Sequence, residues 1–350
     1  MKKNKIHIGT AALLLLIAVF GAFELVERPT DMATAPKMNL SEYAFFTGNL
    51  ADLKPAEGVF PYEVNAPLFS DYAEKARFIY LPAVTQMTYD AEDAFTFPQG
   101  AVLIKNFYYF TDASKPELGR RILETRLLIN EAKGWKALEY IWNDAQTDAI
   151  LEVAGATMPV RWTDANGKKQ NIEYIAPNLN QCKGCHSYDG QFVPIGATAR
   201  QLNHEHEGVN QLRHWQMLGL IQLPENFDAS TAPRLTDYRK ADAPVADKAR
   251  AYLDGNCAHC HNPHGPASTS GMFLEVTQQD PERLGINKTP VAAGRGSGNR
   301  KFGIVPGKPS ESILLYRMES DDTGIRMPEL GRQLAHREGV EIIRLWIKNM

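Results

Sequence analysis

Apolar and polar positions follow three rhythms along the body of the chain. Residues 41–82 carry many aromatics, among them Tyr43, Phe45, Phe46, Phe60, Tyr62, Phe69, Tyr72, Phe78 and Tyr80, without a steady period. They predict short helical and irregular pieces. From about 84 to 177 the pattern turns strand-like: Ala101–Phe110 reads AVLIKNFYYF, followed by Arg121–Ile129, Trp135–Trp142, Ala149–Val153, Val160–Thr163 and Asn171–Ile175. Short runs of β-branched and aromatic residues with period-two stretches predict strands. Turn residues separate them at Lys133-Gly134, Asn143-Asp144 and Asp164–Gly167. Such short links predict an antiparallel meander, hence a sandwich or an open barrel.

Beyond Pro177 the apolar spacing becomes helical. Gly208–Leu220 carries Leu212, Trp215 and Leu218 on one face, and Ala246–Asp254 carries Ala249, Tyr252 and Leu253. Ser312–Met318 and Glu338–Lys348 predict two further helices. A Pro-rich connector covers about 224–244. The expected fold class is α+β multidomain, a β-rich antiparallel N-terminal domain followed by an all-α region. Its expected parts are a signal peptide or N-terminal membrane anchor over 1–26, a linker over 27–40, a β-rich domain over 41–177, and two regions over 178–244 and 245–350.

The N-terminus adds a compartment. Lys2, Lys3 and Lys5 precede an uncharged, mostly apolar run from Ile8 to Phe23, the form of an export signal. The run is near the lower length limit of a spanning helix, so an uncleaved membrane anchor stands beside a cleaved signal. Both put the body of the chain in the periplasm, with the basic flank cytoplasmic. The net charge is −3, and no basic block speaks for a nucleic-acid partner.

All four cysteines fall into two copies of Cys-x-x-Cys-His, Cys182–His186 and Cys257–His261. This is the attachment pattern of c-type haem. Two thiols bond the two vinyl groups of one porphyrin, and the following His is held beneath the iron. Other uses of the cysteines account for less. A zinc site of two Cys-x-x-Cys pairs usually spaces them by roughly 15–20 residues, far less than the gap here, and two disulfides leave His186 and His261 unused. A thioredoxin-like pair needs one motif in a βαβ setting. The expected cofactors are therefore two covalently bound haem c groups, with His186 and His261 as proximal iron ligands.

The sixth ligands decide between electron carriage and catalysis, because an open iron admits other molecules. For the second haem the candidate is Met327, in a loop before Pro328, with Met318 as a rival that reads better as core. For the first haem the candidates are His214 and Met217 on the 208–220 helix, with His204, His206 and Met158 further off. Arg295 or Arg300 is a candidate contact for a haem propionate. Lys105, alone among apolar neighbours, is expected as an edge lysine facing water.

Several segments resemble a family of exported bacterial di-haem c-type cytochromes of uncertain role: Asn65–Tyr72, Trp142–Asp144, Asn180–His186, Pro290–Gly298 and Met327–Arg332. The resemblance runs from about residue 40 to the end. It implies haem c at both motifs, a C-terminal class I cytochrome c-like domain and electron transfer with periplasmic or membrane redox proteins. Phe97–Lys105 also looks like a strand of β-rich haem enzymes whose five-coordinate haem is cross-linked to a lysine. An enzymatic alternative is thus a peroxidase-like or small-molecule oxidase with one open-site haem and one relay haem. A third is a binding module whose β domain recruits a partner.

Overall fold

The computed structural model describes residues 35–206 and 208–350. The expected signal or anchor over 1–26 lies outside the described residues, as does the first part of the linker. No helix among the described residues is long and apolar enough to cross a membrane.

The first half is built on strands β1 (Val59–Pro61), β2 (Glu74–Tyr80), β3 (Met87–Thr88), β4 (Val102–Phe110), β5 (Arg120–Glu131), β6 (Gly134–Trp142), β7 (Ala149–Glu152), β8 (Ala156–Thr163) and β9 (Lys169–Ala176). Six of them form one antiparallel sheet in the order β1-β2-β4-β5-β6-β7, and β8 pairs with β9 as a separate hairpin. β2 occupies a stretch expected to be irregular. Its sequence, EKARFIY, alternates Lys75 and Arg77 with Ala76 and Phe78, so its inward charges hide the strand period.

One face of the sheet is apolar. Phe78, Val102, Ile104, Ile122, Leu127 and Tyr140 are buried there under Leu40, Tyr43, Phe45 and Leu53 from the N-terminal segment. Each such side chain contributes roughly 1.5–3 kcal/mol through burial. The end of the expected linker is part of this face: Tyr140 donates to the Lys37 carbonyl at 2.9 Å, and the Leu151 amide to that of Met38 at 2.9 Å.

The second half departs from the expected all-α region. Helices α1 (Leu179–Cys185), α2 (Ala199–Leu202), α3 (Gln211–Met217), α4 (Val245–Leu253), α5 (Ile313–Glu319) and α6 (Arg337–Lys348) are short. Between α1 and α4 lie two-residue strands β10 (Ser187–Tyr188), β11 (Gln191–Phe192), β12 (Glu205–His206), β13 (Val209–Asn210) and β14 (Ile221–Gln222). Most of 254–312 is turns and loops. Positive backbone φ at Gly271, Gly285, Asn287, Gly294, Gly298 and Asn299 breaks any long helix. The β-rich expectation for the first half stands, while the all-α, cytochrome c-like region does not.

The two halves also interlock. β14 pairs in parallel with β3, and one apolar cluster combines Ile79, Met87, Phe97 and Leu103 with Leu202, Leu212, Trp215 and Leu220. A second cluster joins Tyr252, Leu253, Leu315, Ile343 and Ile347 where α4, α5 and α6 meet. Segment 65–72 stitches the whole together. Asn65 donates to the carbonyls of Arg200 and Asn203, the Phe69 amide donates to Asn256, and buried Asp71 accepts from the Gln333 and Leu334 amides at 2.6 and 2.8 Å.

Candidate functional site

The first motif begins on α1, which is opened by a reciprocal cap. The Gln181 amide donates to the Asn178 side chain, and the Asn178 amide to that of Gln181, each at 2.9 Å. α1 ends at His186, whose Nδ1 lies 2.8 Å from the Val193 carbonyl and whose ring stacks on Phe192. A carbonyl only accepts, so Nδ1 carries the proton and Nε2 keeps its lone pair for a metal. Burial lowers the imidazole pKa to about 4, which keeps that lone pair free of a proton at neutral pH.

The second motif leaves α4 through a π turn, Asp254–Ala258, the kind of helix irregularity common at functional sites. Gly255 is required there because a Cβ would collide with the Ala66 carbonyl. Asp254, buried, pairs with Arg200 at 3.1 Å and accepts from the Val276 amide. His261 repeats the arrangement of His186 in a looser form, with Nδ1 3.3 Å from the Met272 carbonyl.

The fold brings the motifs against each other. Ligand atoms of Cys185, His259 and Cys260 all lie within 4.8 Å of one another, and the Cys260 thiol is 3.5 Å from the Gly184 carbonyl. The closeness of Cys260 lowers the Cys185 thiol pKa and raises that of Cys260. Burial pushes Cys182 up to about 11 and Cys257 up to about 12. All four thiols are free and partly accessible. The contact continues outward, where His264 bonds Asp189 at 3.0 Å and stacks on Tyr188.

Next to the second motif is a narrow cleft lined by Phe69, Cys257, Met318, Met327, Leu330 and His336, among others. Met327 thus shares a cleft with Cys257, and Met318, its rival, is mostly core. The Met327 backbone is held at both ends. Its amide donates to the Arg317 carbonyl, and its carbonyl accepts from Arg332, itself buried among five carbonyls. His336 stacks on Phe69 at 4.2 Å and bonds Tyr252. Sequence reading missed its place in the cleft, which nothing in its local sequence signals.

His214 and Met217 face outward on α3, Met217 at 71 % exposure. Met158 is packed in the core between the sheet and the β8–β9 hairpin, and the His204 ring bonds the neighbouring Glu205 carbonyl. Arg295 pairs with Asp322 and Arg300 lies over the Tyr316 ring, so neither lines the cleft. Lys105 is not on an edge: β4 lies between β2 and β5, and Lys105 points to the inner face beside Phe107.

This face, opposite the apolar one, carries a charged belt that sequence reading did not foresee. Glu124, fully buried, accepts from Arg126 at 2.5 and 3.0 Å and from Tyr174 at 2.5 Å. Beside it, Glu139 is 1 % exposed and accepts no hydrogen bond. Burial and the Glu124 charge raise its pKa to about 9, so it stays protonated and can itself donate to Glu124.

No family model, curated protein or solved structure matches the chain. The resemblance to exported di-haem cytochromes therefore finds no support, and with the helical C-terminal domain also absent, that family assignment is withdrawn. What remains is the chemistry of the residues themselves. Each motif offers two free thiols and an imidazole whose outer nitrogen is directed by a carbonyl, and this donor set fits covalent haem.

Proposed function

We propose that the chain carries two haem c groups, one on Cys182, Cys185 and His186, the other on Cys257, Cys260 and His261, and passes electrons between periplasmic or membrane redox partners. When bound, haem supplies one-electron chemistry at iron. The protein residues have simpler tasks: four thiols tether, and the Val193 and Met272 carbonyls fix the imidazoles. Met327 is the candidate sixth ligand of the second iron. The observation that carries the reading is the contact between the two motifs, since adjacent attachment points suit transfer from one group to the other.

The outward placement of His214 and Met217 favours one alternative, a haem enzyme whose first iron is open. Optical spectra of the purified exported protein, oxidised and reduced, with and without carbon monoxide, separate the two, together with a pyridine haemochrome assay. Two haems per chain, low-spin and indifferent to carbon monoxide, support the carrier. A high-spin component that responds to carbon monoxide supports the enzyme. A protein matured in a competent host with zinc at Cys185, His259 and Cys260 and no haem would falsify both.

A further inference from the structure

Arg77, Lys105 and Arg126 stand directly opposite one another across β2, β4 and β5, with Lys75 two residues from Arg77 on the same face. Like charges in this register repel, and burying them costs several kcal/mol each without partners. Their partners are few. Arg126 is bound by Glu124, and Arg77 has Glu63 at 3.9 Å. Lys75 and Lys105 make no ion pair among the described residues, and Lys105 instead lies 4.8 Å over the Phe107 ring, which Arg126 covers at 4.3 Å. Glu139 is the next residue in the row, and burial and the Glu124 charge raise its pKa. Burial lowers Lys75 to about 7 and Lys105 well below its ordinary value.

Arg77 is buried, while Lys75, Lys105 and Arg126 keep some accessible surface, 27 % for the Arg126 side chain. They share one face of the sheet. Lys105 acts electrostatically on His186 and Arg126 on Cys182 of the first motif, and Lys75 acts on His336.

We propose that Lys75, Arg77, Lys105 and Arg126 form an internal anion site that takes a carboxylate-class oxyanion. An anion there would offset the repulsion and restore full charge to both lysines. Two sources offer that chemistry: a propionate of the first haem, in which case the inference rests on the haem reading, and a free small oxyanion.

The full-length exported protein, as isolated, tests this with Lys105→Met and Lys75→Met, which keep side-chain length. Potentiometric titration follows both haems, and a formate titration is read from the Soret band and the melting temperature. If the anion is a propionate, Lys105→Met lowers one midpoint potential and leaves the other, because a lost cation favours the more positive oxidised iron. If it is free, formate binds saturably to the parent, and either variant weakens it about tenfold or more, in keeping with one lost charge-assisted bond. Should both variants leave the two potentials unchanged while formate affects neither spectrum nor melting, the anion site is overturned. Absence of haem sinks the haem reading alone, and the formate melting arm then decides the site.

Discussion

The surroundings of the two motifs differ sharply. The second adjoins a cleft of Phe69, Met318, Met327 and Leu330, with sulfur and aromatic groups facing Cys257. The first rests on β6 and β11 beside a belt of ions, Arg126 with Glu124 and, further in, Lys105. Identical motifs thus sit in unlike dielectric and ligand settings. In the proposed reading this gives two unequal haems: the second tuned by a thioether, the first by nearby charge. On that reading the local sequence sets attachment, and the fold sets what each attached group does.

That contrast can be broken most directly by removing one site at a time. Cys257→Ala with Cys260→Ala should halve the haem per chain in a pyridine haemochrome assay, and Cys182→Ala with Cys185→Ala should do the same. Loss of both haems from either variant would show that the sites are not independent. Met327→Leu should lower the potential of the second haem alone, since Met ligation raises it; an unchanged titration would remove Met327 as a ligand.

Asp71→Ala tests the strap that holds the second cleft against the sheet. It leaves two part-buried amides, those of Gln333 and Leu334, without their acceptor, a loss of at most roughly 1–3 kcal/mol per group visible in denaturant unfolding. Glu139→Gln probes the first site's ion belt. Below the ordinary pKa of 4.5 the acid is protonated in both folded and unfolded chains. Between 4.5 and about 9 the unfolded chain releases the proton and the folded one keeps it, so stability falls as pH rises. The Gln variant should therefore gain markedly more stability at pH 8 than at pH 5, and equal melting shifts at both would contradict a protonated Glu139. The smallest effect belongs to Met217→Leu, exposed and remote from both motifs, with stability within about 0.5 kcal/mol and spectra unchanged.

The sequence by itself determined the local chemistry and the regular strands. The Cys-x-x-Cys-His pairs are contiguous, and β4 through β9 carry alternation strong enough to read without partners, as do the one-sided apolar helices α4 and α6. Tertiary structure decided everything that needs distant residues to meet. β2 is a central strand because β1 and β4 flank it, although its inward positions are Lys75 and Arg77. Lys105 is an inner residue for the same reason. Segment 65–72 is a strap only because Asp71 and Asn256 find their partners across the chain. The contact of Cys185 with Cys260, the place of Met327 beside the second motif, and the outward facing of His214 and Met217 away from the first are likewise products of packing. Periodicity reports which face of an element is apolar; it carries no information on which other element will cover that face, and the site is made where two of them close.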